Sequence, residues 1–467
     1  MIDYSTLRHV HFIGIGGIGM SAIAEIMLRE GYKVSGSDMN ESEITDKLSS
    51  LGAMVYLGHN AKNVKDADLL VFSAAIKEDN PEMVKARENG IQIVSRAQIL
   101  GSLMQRSGNS IGVAGTHGKT TTTSMLSLVL KAADLEPTIL VGGNLGEIGG
   151  NVLVGKNDYF ITEACEYMDS FLSLCPKYAI ILNIDSDHLD YFDGIDHIVS
   201  SFKKFAHLVP DDGAVIAYDA NPFVKSMLKD LDRPVITFGF HEGCDYCADN
   251  IVFMNDGMPS FDVVYKGDTI ASVELKIPGE HNICNALAAF AGAHVCGVDP
   301  IHISQTLSAF TGTKRRFDVL GDTMSGIKIV DDYAHHPTEI KATIKAARKM
   351  PHNKLWILFQ PHTYTRTFAL HDEFAEALSA ADNVVLAEIY AAREKNISGV
   401  NSKSIADSIR DLDGTAHAFY IETFEEIAKF VYNNTSRGDL VLTMGAGDIY
   451  KIGQMIMDLD RASNLKR

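Results

Sequence analysis

HVHFIGIGGIGMSAIAEIMLRE, residues 9–30, decides the fold. The run from His9 to Ile15 reads as a strand. Ser21 to Glu30 places apolar residues at helical spacing, and Lys33 to Ser37 reads as the next strand. A strand, a glycine turn, a helix and a second strand open a parallel α/β unit. Gly14, Gly16, Gly17 and Gly19 give the pattern G-x-G-x-x-G between the first strand and the helix. Glycines there let the backbone approach a diphosphate. The helix N-terminus behind them supplies free N–H groups and the positive end of a dipole. Asp38 ends the second strand, where an acid commonly takes a ribose hydroxyl. NAD and a UDP-sugar both present a pyrophosphate and a ribose, so this loop by itself fits either.

The same construction returns further along. Ser110 to Ala114 is an apolar strand, and Gly115-Thr116-His117-Gly118-Lys119-Thr120-Thr121 follows it and opens a helix. Val113 stands where the usual phosphate loop carries its first glycine, so the spacing departs from the common form. The physical content is kept. Backbone N–H groups can cradle phosphates, Lys119 can bridge the outer phosphates, and the Thr120 hydroxyl can reach Mg²⁺. A dehydrogenase needs only the first loop and a simple kinase only the second. Both together point to an enzyme that uses ATP to activate a nucleotide-linked substrate. The rival readings are an NAD-dependent oxidoreductase fused to an ATPase and a non-catalytic nucleotide-binding module.

Apolar runs alternate with helical patterns through the rest of the chain, which predicts parallel sheets covered by helices. Asp68 to Ser73 and Tyr178 to Ile184 read as buried strands. A third unit begins near Arg316, with strands at Ile327–Asp331, Leu355–Phe359, Asn383–Ala387 and Leu440–Thr443. Boundaries fall in the polar, turn-rich segments Gln105–Gly108 and Thr311–Lys314. The 467 residues suit three domains. Hydrophobic residues at 46% and charged ones at 22% suit soluble globular cores. A net charge of -18 argues against nucleic acid or an anionic membrane as main partner. The sequence shows no transmembrane-length apolar run and no charged-then-apolar leader, so a cytoplasmic protein with no membrane partner is expected. Monomer and homodimer are both compatible. Cys244 and Cys247 form a C-x-x-C pair with no second pair at zinc-site spacing, and are read as two unrelated thiols in a loop.

Nine segments resemble the Mur ligases, and the likeness covers nearly the whole chain. They are HFIGIGGIGMSAIA (11–24), SAAIKEDNPE (73–82), GTHGKTTTT (115–123), GEHNICNALAA (279–289), RRFD (315–318), DDYAHHPTE (331–339), QPHTYTRT (360–367), EIYAAREKNISGVNS (388–402) and GAGDI (445–449). The resemblance implies an α/β protein of three domains. These are a Rossmann-like UDP-binding domain over 1–106, a central P-loop-type ATPase domain with a parallel sheet over 107–313, and a Rossmann-like C-terminal domain over 314–467. It implies ATP-dependent formation of an acyl phosphate on the lactyl carboxylate of UDP-N-acetylmuramate, attack by the amine of L-alanine, and a place in peptidoglycan precursor synthesis. The alternative is a related ligase that adds a preformed peptide to the same UDP-sugar.

Residue by residue, the resemblance implies that Gly14, Gly16, Gly17 and Gly19 hold the UDP diphosphate, with Asp38, His59, Ser73 and Arg96 around the uridine, ribose and diphosphate. It implies that Lys119 meets the β- and γ-phosphates and that Thr120, Glu166 and His188 hold Mg²⁺. His281 and Asn285 match adenine contacts, Arg316 a phosphate contact and Asp332 the ATP ribose contact. Tyr333, His335, Arg366 and Arg393 lie in motifs that face the reacting groups. The attacking amine must lose a proton, and His188 and His335 are both candidates to take it. Cys165 stands where many members carry an aspartate, so Glu163 or Glu166 must serve as the acid. Lys203 and Lys204 are not expected to be carbamylated. Asp185 and Asp187 have a plainer reading as acids of a strand-end turn, and His336, before Pro337, as a turn former.

Overall fold

The computed structural model describes residues 2–156, 158–188, 191–392, 394–396, 399–412 and 417–464. The first sheet holds β1 (His9–Ile13), β2 (Lys33–Asp38), β3 (Met54–Leu57), β4 (Leu69–Phe72) and β5 (Gln92–Ser95), in the order β3-β2-β1-β4-β5. All its pairings are parallel, and β1 is buried along its full length. Parallel strands covered on both faces need continuous apolar runs, as VHFI and LLVF provide. The strand expected to reach Ile15 stops at Ile13. There Gly14 and Ile15 turn their N–H groups onto the Ser37 carbonyl at 2.8 and 3.0 Å, which closes the glycine loop over β2.

The central sheet holds β6 (Asn109–Ala114), β7 (Thr138–Leu145), β8 (Gly150–Leu153), β9 (Tyr159–Ala164), β10 (Tyr178–Ile181), β11 (Ala214–Tyr218), β12 (Val235–Gly239), β13 (Tyr246–Phe253), β14 (Pro259–Tyr265) and β15 (Asp268–Glu274). The order is β15-β14-β13-β12-β11-β10-β6-β9-β7-β8. The stretch from β13 through β12, β11, β10, β6 and β9 to β7 is parallel. The outer pairs β13–β14, β14–β15 and β7–β8 are antiparallel, which an all-parallel expectation did not include. Lys266 and Gly267, both at positive φ, form the two-residue turn between β14 and β15. So short a connection permits only antiparallel pairing. Helices Lys119–Ala132 and Glu280–Val295 lie in one core, where Met125, Leu126 and Val129 share the interior with Ile283, Leu287 and Phe290.

The third sheet holds β16 (Asp318–Asp322), β17 (Lys328–Asp332), β18 (Leu355–Phe359), β19 (Asn383–Leu386), β20 (His417–Tyr420) and β21 (Leu440–Met444), ordered β16-β17-β21-β18-β19-β20. Only β16, at the edge, runs antiparallel among the described residues. In open α/β sheets ligands sit beyond the carboxyl ends of parallel strands, where the strand order reverses. The carboxyl ends of β6, β10 and β11 and that of β17 all meet at one cavity, described next. Among the described residues no helix is long and apolar enough to cross a membrane.

Candidate active site

Residues 115–118 join β6 to the helix that starts at Lys119. Gly118 has φ +87°, and a Cβ there would stand 2.5 Å from Asn285 Oδ1, so only glycine fits the turn. Asn183, just beyond β10, fastens the loop: its Oδ1 accepts from His117 N at 2.8 Å and its Nδ2 donates to His117 O at 3.0 Å. A cavity of about 520 Å³ opens over this loop. His117 and Gly118 line it from the loop, Thr121 from the helix that follows, His281 and Asn285 from helix Glu280–Val295, and Arg316, Asp332 and Glu339 from the C-terminal domain. Two domains therefore share one site.

Its charges are matched in pairs. Lys119 Nζ sits 2.9 Å from Glu166 Oε2 and also donates to the carbonyls of Gly115 and Thr116. Burial alone would lower the Lys119 pKa, but Glu166, with Cys165 and Glu163 beside it, makes the net shift upward. His117 lies between Asp185 and Glu339, at 3.2 Å from each. Burial pulls its pKa down, yet the two carboxylates win and raise it to about 9. Both ring nitrogens then carry protons, one for each acid. Burial would raise the Glu339 carboxyl, but His335, His117 and Arg316 hold it well below the usual range. His281 and His335 go the other way, each lowered to about 4 by burial, and are neutral at pH 7. Asp332, raised by burial to about 6, accepts from Phe317 N at 2.8 Å and Ala334 N at 2.7 Å. Arg316 reaches Thr120 Oγ1 at 3.5 Å and lies 5.0 Å above the Tyr333 ring.

Further contacts cross the same cleft. Arg366 Nη2 meets Asp187 Oδ1 at 2.9 Å, and its Nε has no partner among the described residues. Asp185 also accepts from Thr338 Oγ1 at 2.7 Å. Both acids, read from sequence as parts of a turn, thus join the central domain to the C-terminal one. His336 does cap helix Pro337–Ala347, as a turn former would, but its Nε2 also reaches Ser186 O at 3.0 Å. His335 Nδ1 lies 3.0 Å from Tyr333 O, and its ring faces His362. His188, at φ +54°, packs against Tyr167 with ring centroids 4.7 Å apart. Arg393 lies outside the described residues.

In the N-terminal domain the Gly14–Gly19 loop is closely lined. Asp38 Oδ2 accepts from Gly16 N at 2.9 Å, so this acid braces the loop itself. A Cβ at Gly19 would stand 2.5 Å from Arg96 Nη1, and one at Gly14 would stand 3.7 Å from Ser73 Oγ. Arg96 and Ser73 therefore border the loop. His59 Nδ1 is 2.9 Å from Ser37 Oγ. Behind both lies Glu82, fully buried, which accepts from Ser37 Oγ at 2.6 Å and Asn63 Nδ2 at 2.6 Å.

Three family descriptions match in chain order: "Mur ligase family, catalytic domain" over residues 9–107, "Mur ligase middle domain" over 113–293, and "Mur ligase, glutamate ligase domain" over 315–447. The chain belongs to the Mur ligase family. The ligase is 52% identical to the UDP-N-acetylmuramate–L-alanine ligase of Alkaliphilus metalliredigens, over 98% of each chain. It is 48% identical to the ligase of that name from Acetivibrio thermocellus, over 98% of this chain and 97% of the other. Among solved structures it matches the UDP-N-acetylmuramate–alanine ligase of Thermotoga maritima with a TM-score of 0.81 and 31% identity, covering 98% and 100% of the two chains. A murein peptide ligase of Psychrobacter arcticus matches with a TM-score of 0.70 and 27% identity, covering 97% and 98%.

Sequence reasoning missed several residues that organise this ligase's cleft. Asn183, Thr338 and Glu339 carry no motif chemistry of their own. Glu339 ends the quoted DDYAHHPTE, and its place one helical turn after His335 was the available signal. Glu82 likewise ends SAAIKEDNPE, and an acid at the first turn of helix Pro81–Glu88 reads as a solvated dipole partner until its burial is seen.

Proposed function

We propose that this ligase joins L-alanine to the lactyl carboxylate of UDP-N-acetylmuramate, through an acyl phosphate, with ATP and Mg²⁺ in the cytoplasm. The observation that carries the reading is the cavity shared by the Gly115–Thr121 loop and by Arg316 and Asp332 of the next domain. A carboxylate attacking a γ-phosphate is repelled by like charge, and Lys119 with Arg316 would neutralise it. The buried Glu166 carboxylate, the Thr120 hydroxyl and the His188 imidazole are an oxygen-rich set that suits a hard cation completed by water. Mg²⁺ there would supply positive charge to the phosphate oxygens.

His281, neutral, and Asn285 would meet the adenine, and Asp332 the ATP ribose. The Gly14–Gly19 loop with Arg96 and Ser73 would hold the UDP diphosphate, with Asp38 and His59 toward the ribose and uridine. Tyr333, His335, Arg366 and Arg393 would face the reacting carboxylate and the amino acid. His335, with a pKa of about 4, is suited to orient the amine rather than to store its proton. The choice of L-alanine follows relatives 52% and 48% identical over nearly the full chain.

The test is phosphate release with ATP, UDP-N-acetylmuramate and single acceptors at equal concentration. Release should require all three substrates, favour L-alanine, proceed weakly with glycine and L-serine, and fail with D-alanine. Preference for a preformed tripeptide would assign the peptide-adding reaction instead.

A further inference from the structure

The C-x-x-C segment belongs to neither nucleotide loop, and its two thiols have different surroundings. Cys247 Sγ faces the carbonyls of His241 and Cys244, at 2.6 and 3.7 Å. Cys244 Sγ instead turns toward two side chains, lying 3.5 Å from His241 Nε2 and donating to Asp219 Oδ2 at 3.8 Å. His241 Nε2 and Asp219 Oδ2 are themselves 2.6 Å apart. A carboxylate oxygen, an imidazole nitrogen and a sulfur thus converge, all within 4.8 Å of one another. We propose that Asp219, His241 and Cys244 form a site for a thiophilic divalent cation such as Zn²⁺, with the fourth position taken by water.

The geometry separates this reading from a nucleophilic triad. In a triad the acid binds one ring nitrogen and the nucleophile the other. Here acid and thiol both lie nearest Nε2, at 2.6 and 3.5 Å, while Nδ1 is 3.9 Å from the sulfur, as suits ligands around one centre. Zinc bonds of about 2.0 Å to nitrogen or oxygen and about 2.3 Å to sulfur, at tetrahedral angles, give sulfur edges of about 3.5 Å and a nitrogen–oxygen edge of about 3.3 Å. The two sulfur edges are near that size. The third is a hydrogen bond and must open by roughly 0.7 Å when a cation replaces the shared proton. In the neutral ring that displaced proton moves to Nδ1, which gives up its 3.1 Å bond from Gly243 N, and the ring keeps its single proton. His241 and Gly243 lie on an exposed turn that can yield.

Asp219 and Cys244 stand on firm backbone, while His241 has room to adjust. Asp219 directly follows β11 and donates its N–H to Phe238 O at 3.0 Å in the neighbouring β12. His241 and Cys244 lie in the turn after β12, closed by Cys244 N on His241 O at 3.1 Å. Burial, with Asp219 nearby, pushes the Cys244 thiol up to about 12, so it is protonated at neutral pH. Binding is Cys–SH + M²⁺ → Cys–S–M⁺ + H⁺, one proton released per ion. Thiolate and carboxylate together then balance the cation's two charges. Lys225, 3.6 Å from Asp219 Oδ1, is the competing cation, and it is half-exposed. Tyr218 and Phe240, the residues just before Asp219 and His241, line the nucleotide cavity. A bound ion would therefore tie together the two strand ends that carry part of its wall.

The test uses the full chain, stripped with a chelator and titrated with Co²⁺ in the absence of nucleotide and Mg²⁺. One equivalent should give tetrahedral cobalt bands with a thiolate charge-transfer absorption, which Zn²⁺ then displaces. Zn²⁺ binding near pH 7 should release about one proton per ion. Cys244→Ser should abolish the charge-transfer band and Cys165→Ser should keep it. His241→Ala and Asp219→Asn should each weaken binding by about tenfold or more. His241 is on the surface, so its variant decides the matter even if Cys244→Ser fails to fold. Absence of the charge-transfer band, its survival in Cys244→Ser, or unchanged affinity in His241→Ala overturns the site.

Discussion

Glu339→Gln removes one negative charge from the middle of the cleft while keeping the side-chain size. In the native structure Oε1 takes His117 Nδ1 at 3.2 Å and Oε2 takes His335 N at 3.1 Å. The amide oxygen can still accept one of these, so the main loss is the charge on the His117 bond. A hydrogen bond to a charged group is worth roughly 1.5–3 kcal/mol net. At about 1.4 kcal/mol per tenfold, and if closure of the cleft is fully expressed in the transition state, kcat/KM should fall by about 10- to 150-fold. Glu339→Ala should cost more, because the part-buried His335 N–H then loses its acceptor as well. The assay is steady-state phosphate release with saturating L-alanine, alongside a melting curve to show that the domains still fold. Histidine NMR supplies an independent readout, since the His117 pKa should drop from its value of about 9 toward the ordinary range. Activity within twofold of the native enzyme and an unmoved His117 titration would refute the idea that Glu339 joins the phosphate loop to the C-terminal domain.

Lys119→Ala should lower turnover by about a thousandfold or more, as loss of a phosphoryl-transfer cation does; a folded variant keeping more than about a tenth of the rate excludes that role. Gly118→Ala meets both a φ of +87° and the Asn285 side chain, so nucleotide affinity measured by calorimetry should collapse while the UDP-sugar still binds. For pH, the raised His117 pKa contributes stability that is fully present below about 6.5 and lost as pH rises through about 9. Melting temperature should therefore fall between pH 6.5 and 9, and His117→Gln should flatten that limb; an unchanged limb removes His117 as its cause.

Nine strands of the parallel stretches, β1, β2, β4, β6, β10, β17, β18, β19 and β21, were legible, most of them because strands buried on both faces carry apolar runs; β3, β5, β7, β8, β9, β11, β12, β16 and β20 were not read. Leu355–Phe359 is found as read, and Ser110–Ala114 grows by one residue to Asn109. The two glycine loops were legible because glycine spacing before a helix has few other uses. The β13–β15 meander was not. PSFDVVY and DTIASVE are half-buried, with polar and apolar residues mixed on short strands, and a pattern that weak does not separate strand from loop. Partners across the cleft were not legible either. Asp187 and Arg366 are 179 residues apart and His117 and Glu339 are 222 apart, and a single sequence holds no periodicity over such distances. Asp187 therefore read as an ordinary turn acid, although Arg366, His188 and His335 hold its carboxyl far below the usual range against the upward push of burial.

The matched pairs of the cleft also decide how its residues must be tested. Lys119 with Glu166, His117 with Asp185 and Glu339, and Arg366 with Asp187 are each largely buried. Removing one member of a buried pair leaves the other charge uncompensated, which costs about 3–5 kcal/mol, whereas the pair as a whole adds little net stability. An alanine at Lys119 therefore mixes two effects, the lost phosphate cation and the stranded Glu166 carboxylate. The mixture can be resolved by a second change. Glu166→Gln in the Lys119→Ala background removes the stranded charge, so it should recover stability but not turnover. At Arg366 the same logic predicts that Asp187→Asn weakens closure and that Arg366→Lys, with a point charge in place of a planar fork, spoils the use of amino acid or muramyl substrate more than ATP binding. If Glu166→Gln instead restored turnover to Lys119→Ala, the lysine's part would be to neutralise Glu166, and the phosphate contact would have to be given to Arg316.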